Sequence, residues 1–267
     1  LAWLTSFTGS AGMAIALADR AALFVDGRYS VQAPQQTDTR LFELRHLIEA
    51  PPEKWLEESV KPGQRIGYDP MLLTVDQARK LRAGVEAAGG VFVALDDNPL
   101  DAVWTDRPAA PLAPVTLRSD ALAGESAASK IARLQAALGK ADALAVSDPH
   151  TVAWLFNIRG GDVAHTPLPL SFALVPKAGP KAGRPSLYID PRKLSAATRD
   201  ALAGTLDVAE PAQFARDLES LGRAGKLVRF DQQTGPEKLA QIVEKAGGKI
   251  EVGPDPAALM RAAKNPA

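Results

Sequence analysis

The densest run of chemically capable side chains reads Asn157-Ile158-Arg159-Gly160-Gly161-Asp162-Val163-Ala164-His165-Thr166-Pro167. It follows the apolar Trp154-Leu155-Phe156, read as the end of a strand or helix, and its paired glycines place Arg, Asp and His on a loop. Loops that gather polar groups on a rigid scaffold are where binding functions concentrate. A guanidinium can clamp a carboxylate through two parallel hydrogen bonds, and an imidazole can donate to a carbonyl. The plainer alternative is a surface ion pair between Arg159 and Asp162, which would contribute little.

Other chemistries find less support. The histidines are His46, His150 and His165, and no two share a helix face at metal-ligand spacing. Asp96-Asp97-Asn98-Pro99 reads as a turn, and no carboxylate cluster suggests two-metal nuclease chemistry. Thr8-Gly9-Ser10-Ala11-Gly12 comes near a nucleophile elbow, but that motif needs glycine where Thr8 stands. A tight glycine turn between two strands is the expectation there. With no cysteine, thiolate nucleophiles, disulfides and Cys-ligated metals are excluded. Lys plus Arg and Asp plus Glu are 31 each, so no surplus charge favours nucleic acid or an anionic membrane. Neither is expected as a partner. A cytoplasmic protein fits, because no apolar run reaches the ~20 residues of a spanning helix and no leader opens the chain.

The loop needs a scaffold, and the sequence writes one twice. AWLTSFTG at residues 2–9 recurs as AWLFNIRG at 153–160, and Leu23-Phe24-Val25-Asp26 with Arg28 recurs as Leu187-Tyr188-Ile189-Asp190 with Arg192. Ile66-Gly67-Tyr68-Asp69 pairs with Val228-Arg229-Phe230-Asp231, and AAGGVFV from Ala87 pairs with KAGGKIEV from Lys245. Four matches in one order indicate a duplicated domain. Strands are expected at Ala22 to Val25, Leu144 to Ser147 and Leu187 to Ile189. Amphipathic helices carry Ala78, Leu81 and Val85; Ile131, Leu134 and Leu138; Phe214, Leu218 and Leu221; and Leu239, Ile242 and Val243. This alternation describes a sheet covered by helices. The second copy has a helix and an apolar strand, ADALAVS from Ala141, ahead of its AWL motif, whereas nothing precedes the first. Residues equivalent to them are therefore expected upstream, and the ending AAKNPA reads as a helix continuing into something longer. The three prolines of Arg107 to Leu117 suggest a stiff linker, which gives domains at 1–117 and 118–257 and a connection at 258–267.

WLTSFTGSAG from Trp3, FVDGRYSVQA from Phe24, IGYDP from Ile66, NIRGGDVAHTP with Ser171-Phe172, and ALMRAAKNP from Ala258 together resemble the N-terminal, non-catalytic half of the three-domain aminopeptidase P family, relatives of creatinase and prolidase. Ser6 departs from the glycine usual there, which bears on one local turn. The resemblance implies an α/β fold of two tandem creatinase/prolidase N-terminal-type domains, each a ribonuclease-H-like mixed sheet flanked by helices, the first lacking its initial helix and strand. It further implies a C-terminal catalytic domain outside this chain that holds two divalent metal ions, usually manganese, and removes an N-terminal residue when proline is second. Peptides with proline second and the catalytic domain are then the partners, and a homo-oligomer stays open. No catalytic or metal-binding residue is assigned within the chain. Arg159, Asp162 and His165 become candidates for shaping substrate entry or binding the peptide's N-terminal end. Asp26, Arg28 and Tyr29 match the DGRY motif, with a structural role at a strand end. Two rivals remain: a catalytically inactive creatinase-like protein-binding module, and a ribonuclease-H-type nuclease that lacks the carboxylates it would need.

Overall fold

The computed structural model describes residues 1–179 and 183–263. The chain divides into one unit of Leu1–Asp69 with Gln77–Pro99 and another of Pro70–Asp76 with the chain from Leu100 onward. The first unit carries β1 (Gly12–Ala16), β2 (Ala21–Val25), β3 (Phe42–His46), β4 (Arg65–Tyr68) and β5 (Val91–Ala94). β1 runs antiparallel to β2, and β2 parallel to β3; β4 and β5 form a separate parallel pair.

The second unit has a short antiparallel pair, β6 (Thr116–Leu117) with β8 (Ile158–Arg159), beside a larger sheet. That sheet is made of β7 (Ala143–Val146), β9 (Phe172–Pro176), β10 (Ser186–Tyr188), β11 (Asp207–Ala209), β12 (Leu227–Asp231) and β13 (Lys249–Gly253), in the order β11-β10-β9-β7-β12-β13. β9, β10 and β11 repeat the antiparallel-then-parallel triple of β1, β2 and β3, and β12 with β13 repeats the parallel pair β4 with β5. β7 lies between triple and pair, antiparallel to β9 and parallel to β12. No described strand makes that join in the first unit.

The composition of β7 explains its position. All four residues are buried, as a strand covered on both faces requires. Leu144 and Val146 pack into one core group with Leu134, Leu155 and Phe156, while Ala145 packs into another with Phe214, Leu218 and Phe230. Side-chain alternation along a strand thus divides the core into two layers. The amphipathic stripes form helices at Val75–Ala87, Ala127–Ala136, Pro211–Arg223 and Glu237–Lys245.

Backbone conformation registers the duplication as well. Ser6 and Asn157, fifth in the two AWL motifs, have φ of 61° and 53°. Apart from glycines, only His165 shares that left-handed conformation among the described residues. Because such a conformation penalises a Cβ, Ser6→Gly is expected to stabilise the chain by ~0.5–1 kcal/mol, net of the extra freedom that glycine gives the unfolded chain. Thermal unfolding reads this directly, and a lower midpoint for the variant would contradict the strained turn.

One expectation is corrected. The Thr8–Gly12 segment does not link two strands; it follows a short helix, Ala2–Thr5, and leads into β1. The two units part at residues 99 and 100, and Val115 is buried in the second unit's core, its N–H donating to the Lys193 carbonyl at 2.8 Å. The proline-rich segment is therefore extended but packed down, ending in β6. Of the connection expected at 258–267, Ala258–Ala262 is a helix and residues 264–267 lie outside the described residues. Among the described residues no helix is long and apolar enough to cross a membrane.

Candidate functional site

The Asn157–Pro167 run is held from below by one helix, Pro149–Leu155. Asp148 caps it, accepting the N–H groups of His150 at 3.0 Å and Thr151 at 3.2 Å, and Pro149 suits its first turn. The same carboxylate meets His150 Nδ1 at 3.0 Å and the Arg261 guanidinium at 2.6 Å. Burial pushes the Asp148 carboxyl up, but Arg261 and the donors of His150 and Thr151 outweigh it and hold the group below the usual carboxylate range. The helix ends as the backbone turns left-handed at Asn157.

Asn157 is a junction. Its Oδ1 accepts from Lys130 Nζ at 2.5 Å, while its Nδ2 donates to the Glu125 carbonyl at 2.8 Å and to Asp120 at 3.3 Å. Lys130 is only 3% exposed, donates to the Trp154 carbonyl at 3.0 Å, and sits 4.9 Å from the centre of the Trp154 ring. Burial lowers its pKa, and the nearby carboxylates of Glu125 and Asp120 only partly offset this. Gly160 then passes so close to Pro169 that a Cβ would lie 2.8 Å from its nitrogen, which explains a glycine there.

Arg159 and Asp162 do not pair. The Asp162 side chain is 0% exposed and binds Lys193 Nζ at 2.5 Å, with the Lys193 side chain 5% exposed. It also accepts the N–H groups of Leu170 at 2.7 Å and Ala113 at 3.2 Å, tying the loop to the proline-rich segment. Asp162 is therefore a staple and is not open to a ligand. His165 is exposed at the tip of a tight turn closed by Thr166 N–H to the Val163 carbonyl at 3.1 Å, with φ of 59°. Arg159 lines a cavity of about 220 Å³ with His150, Trp154, Pro167, Leu168 and Arg261. Its Nη1 donates to the carbonyls of Ile158 at 2.8 Å and Ala153 at 3.2 Å. Of the three candidates, the structure thus leaves Arg159 and His165 accessible, and separates them from Asp162.

The DGRY residues stand apart, in the first unit. Asp26 caps the 3₁₀ turn Gly27–Tyr29 and grips the Arg28 guanidinium at 2.7 Å. Tyr29 Oη meets Ser10 Oγ at 2.6 Å. Asp190 and Arg192 make the same capped turn and ion pair, at 2.6 Å, in the second unit.

No group of three or more His, Asp or Glu side chains converges to hold a metal among the described residues. The His46 ring accepts the N–H groups of Ile48 and Glu49, His150 is bound to Asp148, and His165 stands at its turn tip.

Two models of the Creatinase/Prolidase N-terminal domain match the chain, over residues 1–99 and 106–267. The chain belongs to the creatinase/prolidase N-terminal domain family. It carries the domain twice, as the repeated strand topology requires. The chain is 39% identical to a probable Xaa-Pro aminopeptidase P of Arthroderma gypseum over 93% of its own length and 37% of the relative's, and 32% identical to one of Paracoccidioides brasiliensis over 94% and 41%. It superposes on the X-prolyl aminopeptidase of Caenorhabditis elegans, described as a cytosolic enzyme with a di-nuclear active site, with a TM-score of 0.89 and 26% identity, covering 99% of this chain and 44% of that one. It spans less than half the length of these relatives. Within this creatinase-type pair, sequence reasoning missed Lys130, Asp148, Lys193 and Arg261. Lys130 alone left a signal, as a charged residue on the apolar stripe of Ile131 and Leu134.

Proposed function

We propose that the chain is the N-terminal part of a metal-dependent Xaa-Pro aminopeptidase, which removes an N-terminal residue preceding proline, and that its second unit narrows the approach to a catalytic centre lying outside the chain. The observation that carries this reading is the superposition on the Caenorhabditis elegans enzyme across 99% of the present chain. The two divalent metals of the reaction, manganese in this reading, are not held here. Among the described residues no group of three or more His, Asp or Glu side chains converges, so the residues present do not fit a metal centre. A cytoplasmic location is part of the proposal, from the cytosolic neighbour.

The chain's contribution to hydrolysis is positional. Lys193, Asp162 and Asn157 hold the loop at fixed height, and Arg159 and His165 are the groups it presents. The role is to restrict the length and orientation of peptides that arrive, a bulk effect needing no reacting group. A fixed cation at Arg159 disfavours a peptide's ammonium end, so entry shaping suits it better than capture of the N-terminus.

The 267-residue chain is expected to cleave no Xaa-Pro peptide with or without added manganese, and measurable cleavage by the purified chain would refute the non-catalytic assignment. In the full-length enzyme, Arg159→Ala should lower KM for longer peptides by about 3- to 10-fold with kcat within about twofold, the pattern of a relieved restriction that acts on substrate and transition state alike. Unchanged kinetics on short and long peptides would remove the gating role.

A further inference from the structure

We propose that the cavity between the helix Pro149–Leu155 and the loop at residues 159–168 is a carboxylate-binding pocket in which Arg159 meets the anion. The proposal rests on the aminopeptidase reading only in taking a peptide as the source of that carboxylate.

Charge pairing sets Arg159 apart from the other cations of the cavity wall. The Arg261 guanidinium and His150 ring on the cavity wall are both bound to Asp148, so that corner holds its own counter-charge. Arg159 has none: among the described residues no carboxylate comes within ion-pair distance of it, and its hydrogen bonds go to two backbone carbonyls through Nη1 alone. The Nε and Nη2 edge has no acceptor among the described residues. Through that same edge Arg28 grips Asp26 and Arg192 grips Asp190 elsewhere in this chain, at 2.6–3.2 Å. The two Nη1 bonds fix the plane of the guanidinium, so the open edge is pre-organised for two parallel bonds to a carboxylate.

The surroundings raise the local positive potential. Burial and the neighbouring Arg118 both disfavour the charged form of Arg159, and Arg159 in turn acts on buried Lys130 as a like charge. Holding Arg159 near these cations without a counter-ion of its own costs stability that a bound anion would return. The remaining wall is Ala153, Trp154, Pro167 and Leu168 with the hydroxyl-bearing Thr166, a mostly apolar surface that suits a small apolar body attached to the anion. At about 220 Å³ the space falls below the ~300–1,000 Å³ of a typical small-molecule site, so it takes one terminal residue or side chain rather than a whole ligand.

The test is a titration of the 267-residue chain, followed by amide chemical shifts, with three peptides: Ala-Pro-Ala as the free acid, Ala-Pro-Ala amide, and Ala-Pro-Glu amide. The free acid should bind at least about 10-fold tighter than its amide, with shifts centred on Ala153, Trp154 and Leu168. If Ala-Pro-Glu amide binds as the acid does, the pocket accepts a side-chain carboxylate too; if it does not, the C-terminal carboxylate is the source. Arg159→Gln should erase the difference between acid and amide, and Arg159→Lys should keep only part of it, because a point charge cannot make the paired bonds. Equal binding of acid and amide, absence of binding at ~10 mM, or an undiminished difference in Arg159→Gln would overturn the proposal. The comparison on the unaltered chain stands even if a variant misfolds. Length-dependent kinetics of the full enzyme test the gate separately, so either idea can fail while the other survives.

Discussion

Asp162→Ala is expected to destabilise the second unit by about 3–5 kcal/mol, the range for removing one partner of a buried ion pair. With the carboxylate gone, the Lys193 ammonium keeps, among the described residues, the Leu170 carbonyl at 3.5 Å, and the N–H groups of Ala113 and Leu170 lose their acceptor. Water cannot substitute readily where the two side chains are 0% and 5% exposed. Such a loss is a large share of the ~5–15 kcal/mol that holds an ordinary domain together. Denaturant unfolding should show the midpoint falling with little change in slope, and amide exchange should accelerate from Val163 to Ser171 first. The double replacement Asp162→Ala with Lys193→Met should recover the share of the loss due to the unpaired ammonium, while the N–H groups of Ala113 and Leu170 still lack their acceptor. A cost below about 1 kcal/mol for the single variant would mean that the ion pair is solvated and the loop is held by something else.

The parts of this architecture that could be read from sequence are those written locally and twice. The Asp-x-Arg turns at Asp26 and Asp190 have the same cap and ion pair because both are encoded within three residues. The apolar run around Leu144 announces a strand covered on both faces, and the helix stripes announce their own inward sides. Legibility fails where the deciding contact is distant. Asp162 finds Lys193 31 residues away, and nothing in the spacing distinguishes that pairing from one with Arg159 three residues back. The β6–β8 pairing is likewise invisible in a proline-rich stretch: prolines predict an extended chain, but not that Val115 will be buried under it. His165 shows a third kind of failure, since its left-handed φ of 59° belongs to the turn between Val163 and Thr166, and the enrichment of histidine in that region is too weak to announce it.

Asn157→Ala should cost about 2.5–4 kcal/mol, and its two causes can be separated. Roughly 1 kcal/mol comes from putting alanine at φ of 53°, and the remainder, about 1.5–3 kcal/mol, from taking the hydrogen-bond acceptor away from a charged, buried lysine. Asn157→Gly keeps the permitted backbone and loses only the side chain, so it should fall short of the alanine variant by that backbone share. The pH dependence supplies an independent readout with a fixed sign. Burial lowers the pKa of Lys130 from 10.5 in the folded chain, so between the lowered value and 10.5 the unfolded state binds more protons and stability rises with pH. Removing Asn157 takes away a bond that favours the ammonium, which lowers the folded pKa further and lets the native state shed its proton earlier. The gap between Asn157→Ala and the unaltered chain should therefore narrow as pH is raised toward 10.5, with Lys130→Met abolishing the narrowing. A gap that stays constant across that range would show that Asn157 acts through the backbone alone and that Lys130 is held by Trp154.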